Sequence, residues 1–434
     1  MNNKIKLAVA GAVLSAASVA NAGIVIPAGE WTLDVNGNVN AFAIMTSAED
    51  KKVGTTVTGG YAMYEDASGE DKSYAINTGL LPAWLGFTGT TRQNDLDVSF
   101  TISFQPNVSD TQSSGMGDTL TPLNRQAFVT FGDKSWGSVK LGKDLGIFAG
   151  DAILNDMTLL GVGLAGQRSG GVTTLGGIGS GYIYPAWKGQ IAYTTPNMNG
   201  FQATIAVTNP NQGAFGDAVT LSGAGATSAT ELYQDRLGIE GQLMYSWTGD
   251  VAGKVWASGA SYDVNIDASG GTNATTKGDT DSYTATAFDI GATITTGNLG
   301  VTGYYYDGDG AGTTLMGSYG VDLQGTAGAR KAKKRDSDGG YVQVTYVIPT
   351  GTKLGVAYGV SNLDKASGET NAELTSSGSD YLVEKNERWT VGAYHPLTKH
   401  LNLVAEYNKI DSEAHQPGVD YDSNTFSLGA ILFF

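Results

Sequence analysis

Cysteine is absent from the 434 residues, proline occurs only 10 times, and histidine only three times. No apolar run reaches the about 18–20 residues that a membrane-crossing helix needs. Each absence excludes something. Without cysteine there are no disulfide staples, so stability has to come from packing and a hydrogen-bonded framework. His395 and His400 lie around a turn and His415 in a loop, a spacing that gives no shared helix face for a metal. Basic residues are also few: 26 Lys and Arg stand against 42 Asp and Glu, for a formal charge of −16, which argues against nucleic acid as a partner. No Gly-x-Ser-x-Gly segment, paired-carboxylate helix or phosphate-cradling loop occurs in a supporting context, so neither an enzyme activity nor a cofactor is expected. Asp307-Gly308-Asp309-Gly310 lacks the spacing and terminal Glu of a calcium loop and reads as a solvated loop.

What is present is glycine, at 62 residues, together with abundant Thr, Ser, Asn and Tyr. Glycine and β-branched residues disfavour helix, while apolar residues patterned along the whole length disfavour disorder. The amino-terminus has its own logic. Lys4 and Lys6 precede an apolar or small stretch from Leu7 to Val19, then Ala20-Asn21-Ala22. This is the n-region, h-region and A-x-A site of a secretory leader, with cleavage expected after Ala22. The run is too short for a membrane anchor, and no cysteine follows it to carry lipid. An exported remainder, residues 23–434, with no spanning helix is either a secreted soluble sheet protein or a membrane barrel, because helices and closed barrels are the structures that cross a bilayer.

The alternation favours the barrel. In the last segment Phe426, Leu428, Ala430, Leu432 and Phe434 share one face, and Thr425, Ser427, Gly429, Ile431 and Phe433 the other. Segments of this kind recur and give sixteen candidate strands, joined alternately by tight turns and long loops, as an antiparallel up-and-down transmembrane β-barrel requires. The second is expected near Leu80 to Thr91. One face is apolar. The other carries Glu240, Gln242, Asp289, Gln343, Thr345, Arg388, Thr390, Asn402 and Glu406. Sixteen strands make a ring too wide for side chains to fill, so the polar face would line water. Trp31, Tyr193, Phe201, Trp389 and Tyr407 at strand ends suit interfacial girdles. Gln105–Thr121 and Asp411–Ser423 read as polar outer loops. The run Lys331-Ala332-Lys333-Lys334-Arg335 is expected in another, either bridging lipopolysaccharide phosphates or simply solvated.

One connection differs. From Asp144 to Tyr182 it is first apolar (Leu145, Ile147, Phe148, Ile153, Leu154, Met157, Leu159, Leu160) and then rich in glycine. An apolar loop in water is costly, so this one is expected to fold inward, pack on the wall and narrow the pore.

Several blocks resemble the general porins of Gram-negative bacteria: Asn124-Arg125-Gln126-Ala127-Phe128-Val129, Trp136–Lys143, Asp151–Met157, Ile191–Phe201 and Leu401–Asn408. The resemblance implies a homotrimer of sixteen-stranded open channels in the outer membrane, surrounded by lipid and lipopolysaccharide and passing ions and small hydrophilic solutes. It also implies a third outer loop folded into the pore, whose acidic residues face a basic cluster on the wall. Carried over to this chain, the basic set is Lys143, Lys140 and, more weakly, Arg125. Asp144 begins the insertion, and Asp151 and Asp156 are its acidic positions. Lys143 stands where the family has Arg, and Thr158–Gly163 replaces an acidic segment, so a less charged eyelet that favours less ionic solutes is expected. The acidic total suggests cation preference. A substrate-specific channel and a plugged surface barrel acting in adhesion are the alternatives.

Overall fold

The computed structural model describes residues 23–48, 56–65, 69–106, 108, 123–165, 173–209, 219–220, 231–267, 280–325, 329–370 and 380–434. The expected leader lies outside the described residues, as does most of the expected loop 105–121. Sixteen antiparallel strands close on themselves. They are β1 (Trp31–Ala48), β2 (Trp84–Gln93), β3 (Leu96–Gln105), β4 (Leu123–Asp133), β5 (Gly137–Leu145), β6 (Trp187–Thr194), β7 (Phe201–Thr208) and β8 (Gly238–Trp247). The second half comprises β9 (Val251–Asp267), β10 (Thr280–Thr296), β11 (Leu299–Asp309), β12 (Asp336–Val347), β13 (Lys353–Leu363), β14 (Asp380–Pro396), β15 (Leu401–Ala414) and β16 (Asp420–Phe433).

Closure is made where Asn38–Ala48 of β1 pairs with Ser423–Phe433 of β16, which removes the sheet edge that lipid could not satisfy. The tight connections gather at one end. Asn94 and Asp95, at φ 48° and 64°, make the two-residue turn between β2 and β3, and Gly297 with Asn298 joins β10 to β11. Asn and Gly tolerate the positive φ that such hairpins need.

Period-two alternation decides which residues look out. Ile191, Leu243, Ile290, Val391 and Leu428 are all more than half exposed on the outer surface, and Tyr193, Phe201, Trp389 and Tyr407 are exposed with them. Glu240, Asp289, Gln343, Arg388, Thr390 and Glu406 are all buried on the inner face. The inner face is not uniformly polar, because Ile431 and Phe433 are buried there as well.

Four details depart from the sequence reading, one being that Asp307–Asp309 lie within β11, paired with Asp336–Asp338 of β12, rather than in a solvated loop. The stretch before β2 is not one strand from Leu80. Lys72–Asn77 pairs with the upper part of β1, Trp84–Gln93 with its lower part, and residues 78–83 leave the wall between them. Asn38 Nδ2 donates to Pro82 O (2.9 Å), Asn40 Nδ2 to Leu81 O (2.9 Å) and Leu80 N to Gly161 O (2.9 Å), so this apolar segment faces the interior. Asp411–Ser423 is largely strand, with only residues 415–419 between β15 and β16. The basic run is a short strand, Lys331–Lys334, paired with Val321–Gln324. Arg335 after it is fully buried against both oxygens of Glu369 rather than solvated.

Candidate functional site: a lumen narrowed by an inward segment

The connection between β5 and β6 covers residues 146–186, slightly longer than the expected 144–182, and it lies inside the barrel. It carries a short helix, α1 (Gly150–Asn155), and a 3-10 turn (Met157–Leu160). Phe148, Ala152, Ile153, Met157, Leu159, Leu160 and Val162 are buried with Tyr182 and Ile183 in one apolar cluster. That cluster also includes Tyr262, Tyr304, Tyr341 and Tyr394 from the wall. The apolar character that would be costly in water is thereby covered.

Polar wall groups hold the segment by its backbone. Glu240 on β8 accepts from Ile147 N (2.6 Å) and Phe148 N (3.2 Å). Asp289 on β10 accepts from Ala149 N (3.0 Å). Tyr341 donates to Ala152 O (2.8 Å). Gln343, also on β12, accepts from Met157 N (2.8 Å) and donates to Asn155 O (2.7 Å). Glu406 on β15 accepts from Val162 N (2.9 Å) and Gly163 N (2.8 Å). The path therefore runs along the inner wall from β8 to β15. Gly161 is required on it, since a Cβ there would overlap the Glu406 carboxylate. Each buried carboxylate has its charge spread over several donors, as burial demands.

The expected acidic and basic residues do not form two opposed rows. Asp144 lies in β5 and is ion-paired with Lys140 of the same wall, while Gln126 donates to it (2.9 Å). Asp151 is paired with Lys254 on β9 and accepts from Gln242 (2.8 Å). Asp156 sits 3.6 Å from Arg388 on β14, and both side chains are buried. Asp156 also accepts from Tyr182 (2.9 Å) and Thr158 N (2.9 Å). Burial, with Asp156 beside it, pushes the Tyr182 phenol well above its ordinary range. Lys188, Glu240 and Tyr262 form another buried ionic group, with Lys188 2.8 Å from Glu240. Lys188, Lys254 and the aromatic wall went unread in the sequence.

Lys143 departs from expectation. It follows Val139 and Leu141 in β5 without a register break and pairs with Ala127 and Gly189, which puts it on the outward face. Its ammonium donates to Asn124 O (2.8 Å). Alternation alone contained this, since Lys140 and Lys143 are three residues apart and a strand shows them to opposite sides. Arg125 does enter the interior, because Ser103 and Phe104 of β3 pair with Gln126 and Asn124, leaving Arg125 as the extra residue of a bulge in β4. It is only 4% exposed, and its guanidinium carbon lies 5.0 Å from the Trp84 ring and 4.4 Å from the Trp187 ring. Beside it is a cavity of about 330 Å³, lined by Leu81, Ile153, Leu159, Leu175, Ile178 and Leu315 among others.

A closed sixteen-stranded barrel with a greasy exterior and an inward segment is a membrane channel scaffold. The Gram-negative porin family pattern matches residues 7–416, and the chain belongs to that family. No curated protein matches the chain significantly. Among solved structures it is similar to the outer-membrane channel DcaP of Acinetobacter baumannii. That likeness has a TM-score of 0.63 and 15% identity, and covers 94% of this chain and 99% of the other. It is also similar to the anion-selective porin of Comamonas acidovorans (TM-score 0.56, 15% identity, 93% and 100% covered). A third similar structure is the trimer form of OmpT, an outer-membrane protein of Vibrio cholerae (TM-score 0.51, 15% identity, 93% and 99% covered). The protein is an outer-membrane channel for passive diffusion of solutes, and its family and fold are those of channels rather than enzymes.

Proposed function

We propose that the chain acts as a homotrimeric pore for ions and small hydrophilic solutes, exported behind residues 1–22 and embedded among lipid and lipopolysaccharide. Solutes pass on the β2–β6 side of the lumen. The observation that carries this reading is the one-sided attachment of the inward segment. Glu240, Asp289, Gln343 and Glu406 tie it to the wall from β8 to β15, and the cavity of about 330 Å³ remains against β3 to β6. Asp151 and Asp156 serve to hold the constriction, and Lys140 and Asp144 neutralise each other on the wall, rather than lining it with free charge. Ion preference then follows Arg125 rather than the acidic total, and anions are favoured. The trimer is supported by likeness to a barrel recorded in trimer form.

Single-channel recording in a planar bilayer tests this. A steady, modest conductance is expected, with a reversal potential in a salt gradient that indicates anion preference. Complete absence of conductance overturns the open-pore reading in favour of a plugged surface barrel. That second reading has one feature behind it: residues 56–65 also lie inward, with Tyr61 N 2.9 Å from Ser412 Oγ and Met63 N 3.0 Å from Ser423 Oγ.

A further inference from the structure

Arg125 differs from most cations of the interior, sharing only with Lys353 of β13, 4.8 Å from the Tyr394 ring, the lack of an ion pair among the described residues. Lys140, Lys188, Lys254 and Arg388 each have a carboxylate partner. Arg125 has five N–H donors, and its only hydrogen bond among the described residues is a long one, 3.5 Å, to Pro82 O. It makes no ion pair there, because the nearby carboxylate of Asp144 is occupied by Lys140 and Gln126. Two indole rings lie against the guanidinium, which is almost wholly buried. A buried cation left in this state calls for an anion from outside, and a guanidinium fork matches a carboxylate in two parallel hydrogen bonds.

The adjoining cavity specifies the rest of the solute. Its walls are largely aliphatic, and its volume of about 330 Å³ is small. The few polar groups include Thr174, whose buried hydroxyl has no hydrogen-bond partner among the described residues. An aliphatic or aromatic ring would lie against Leu81, Ile153, Leu159 and Ile178 while its carboxylate met Arg125. We propose that Trp84, Arg125 and Trp187, with this cavity, form a binding station for small amphipathic monocarboxylates on their way through the pore. This deepens the channel reading and rests on it.

Recording from single channels with added benzoate, acetate, benzyl alcohol or benzylammonium tests the proposal. Benzoate is expected to interrupt the current at about a tenfold lower concentration than any of the other three, since a charge-assisted pair and a buried ring both contribute. Arg125→Gln is expected to abolish that difference, and Trp187→Leu to reduce it. Lys143→Gln, on the outer face, is expected to leave it intact. Equal block by benzoate and acetate in the native channel overturns the amphipathic assignment, even if no variant folds. Equal block by benzoate and benzyl alcohol overturns the role of Arg125. Either result leaves an open, conducting pore standing, whereas the absence of current in every solution fails the channel reading itself.

Discussion

Two halves of the inner wall solve the same problem in opposite ways. From β8 to β15 the polar face is largely committed to the chain itself: Glu240, Asp289, Gln343 and Glu406 give acceptors to the backbone of the inward segment. From β2 to β6 the face carries the Lys140–Asp144 pair and Lys188, but between Trp84 and Trp187 it holds one guanidinium with little to bind. Both halves are built on one period-two pattern, which a register break interrupts at Arg125. The difference lies in whether the chain itself or a visitor satisfies the inward groups. One half is structural, and the other is left available for traffic.

The sharpest way to break this contrast is at Glu240. Glu240→Ala strands buried Lys188 and releases Ile147 N and Phe148 N. A loss of about 3–5 kcal/mol is expected from an uncompensated buried cation. It would register as a lower temperature for the gel-mobility shift of the folded barrel, with a larger single-channel conductance. An unchanged conductance would mean that the anchoring does not set the bore. Next in size is the Asp156–Arg388 pair. A double-mutant cycle with Asp156→Asn and Arg388→Gln should give a coupling of about 1–3 kcal/mol in unfolding free energy. Additive effects would show that the two charges are held by their separate neighbours.

A smaller effect concerns the mouth. The Tyr61 phenol, buried and donating to Thr314 Oγ1 (2.8 Å), is pushed up from 10.0 to about 12 by desolvation. The folded form therefore holds its proton more tightly than the unfolded one. This contribution is whole below pH 10 and is lost as pH rises from 10 through about 12. Tyr61→Phe should flatten the stability profile in that window, measured by intrinsic fluorescence during urea unfolding. An identical slope would place the alkaline sensitivity elsewhere. Smallest of all is Lys143→Gln, expected to shift stability by less than about 0.5 kcal/mol and conductance not at all. A clear change in ion selectivity would return that residue to the lumen.

The barrel was legible because alternation is a local property: Glu240, Asp289, Gln343, Arg388 and Glu406 could be assigned to the inner face from their immediate neighbours alone. The inward course of the insertion was legible too, from the cost of exposing Ile153, Leu159 and Leu160. Pairing partners were not. Asp151 meets Lys254 and Asp156 meets Arg388 on the wall beside the segment, and nothing near either acid in the chain indicates which strand it will touch. The stretch from Leu80 misled for a different reason. It has the composition of a strand, but the side-chain amides of Asn38 and Asn40 capture the carbonyls of Pro82 and Leu81 and pull it inward. Arg125 enters only because of a register break, which composition does not reveal.

The grip of Glu240, Gln343 and Glu406 falls on peptide groups, which every residue but proline supplies alike. Side chains of the held ribbon that meet neither the wall nor the apolar cluster can therefore be exchanged while its course stays put. A channel made this way can be retuned for new cargo by rewriting a few positions on the free edge, with its plumbing left undisturbed.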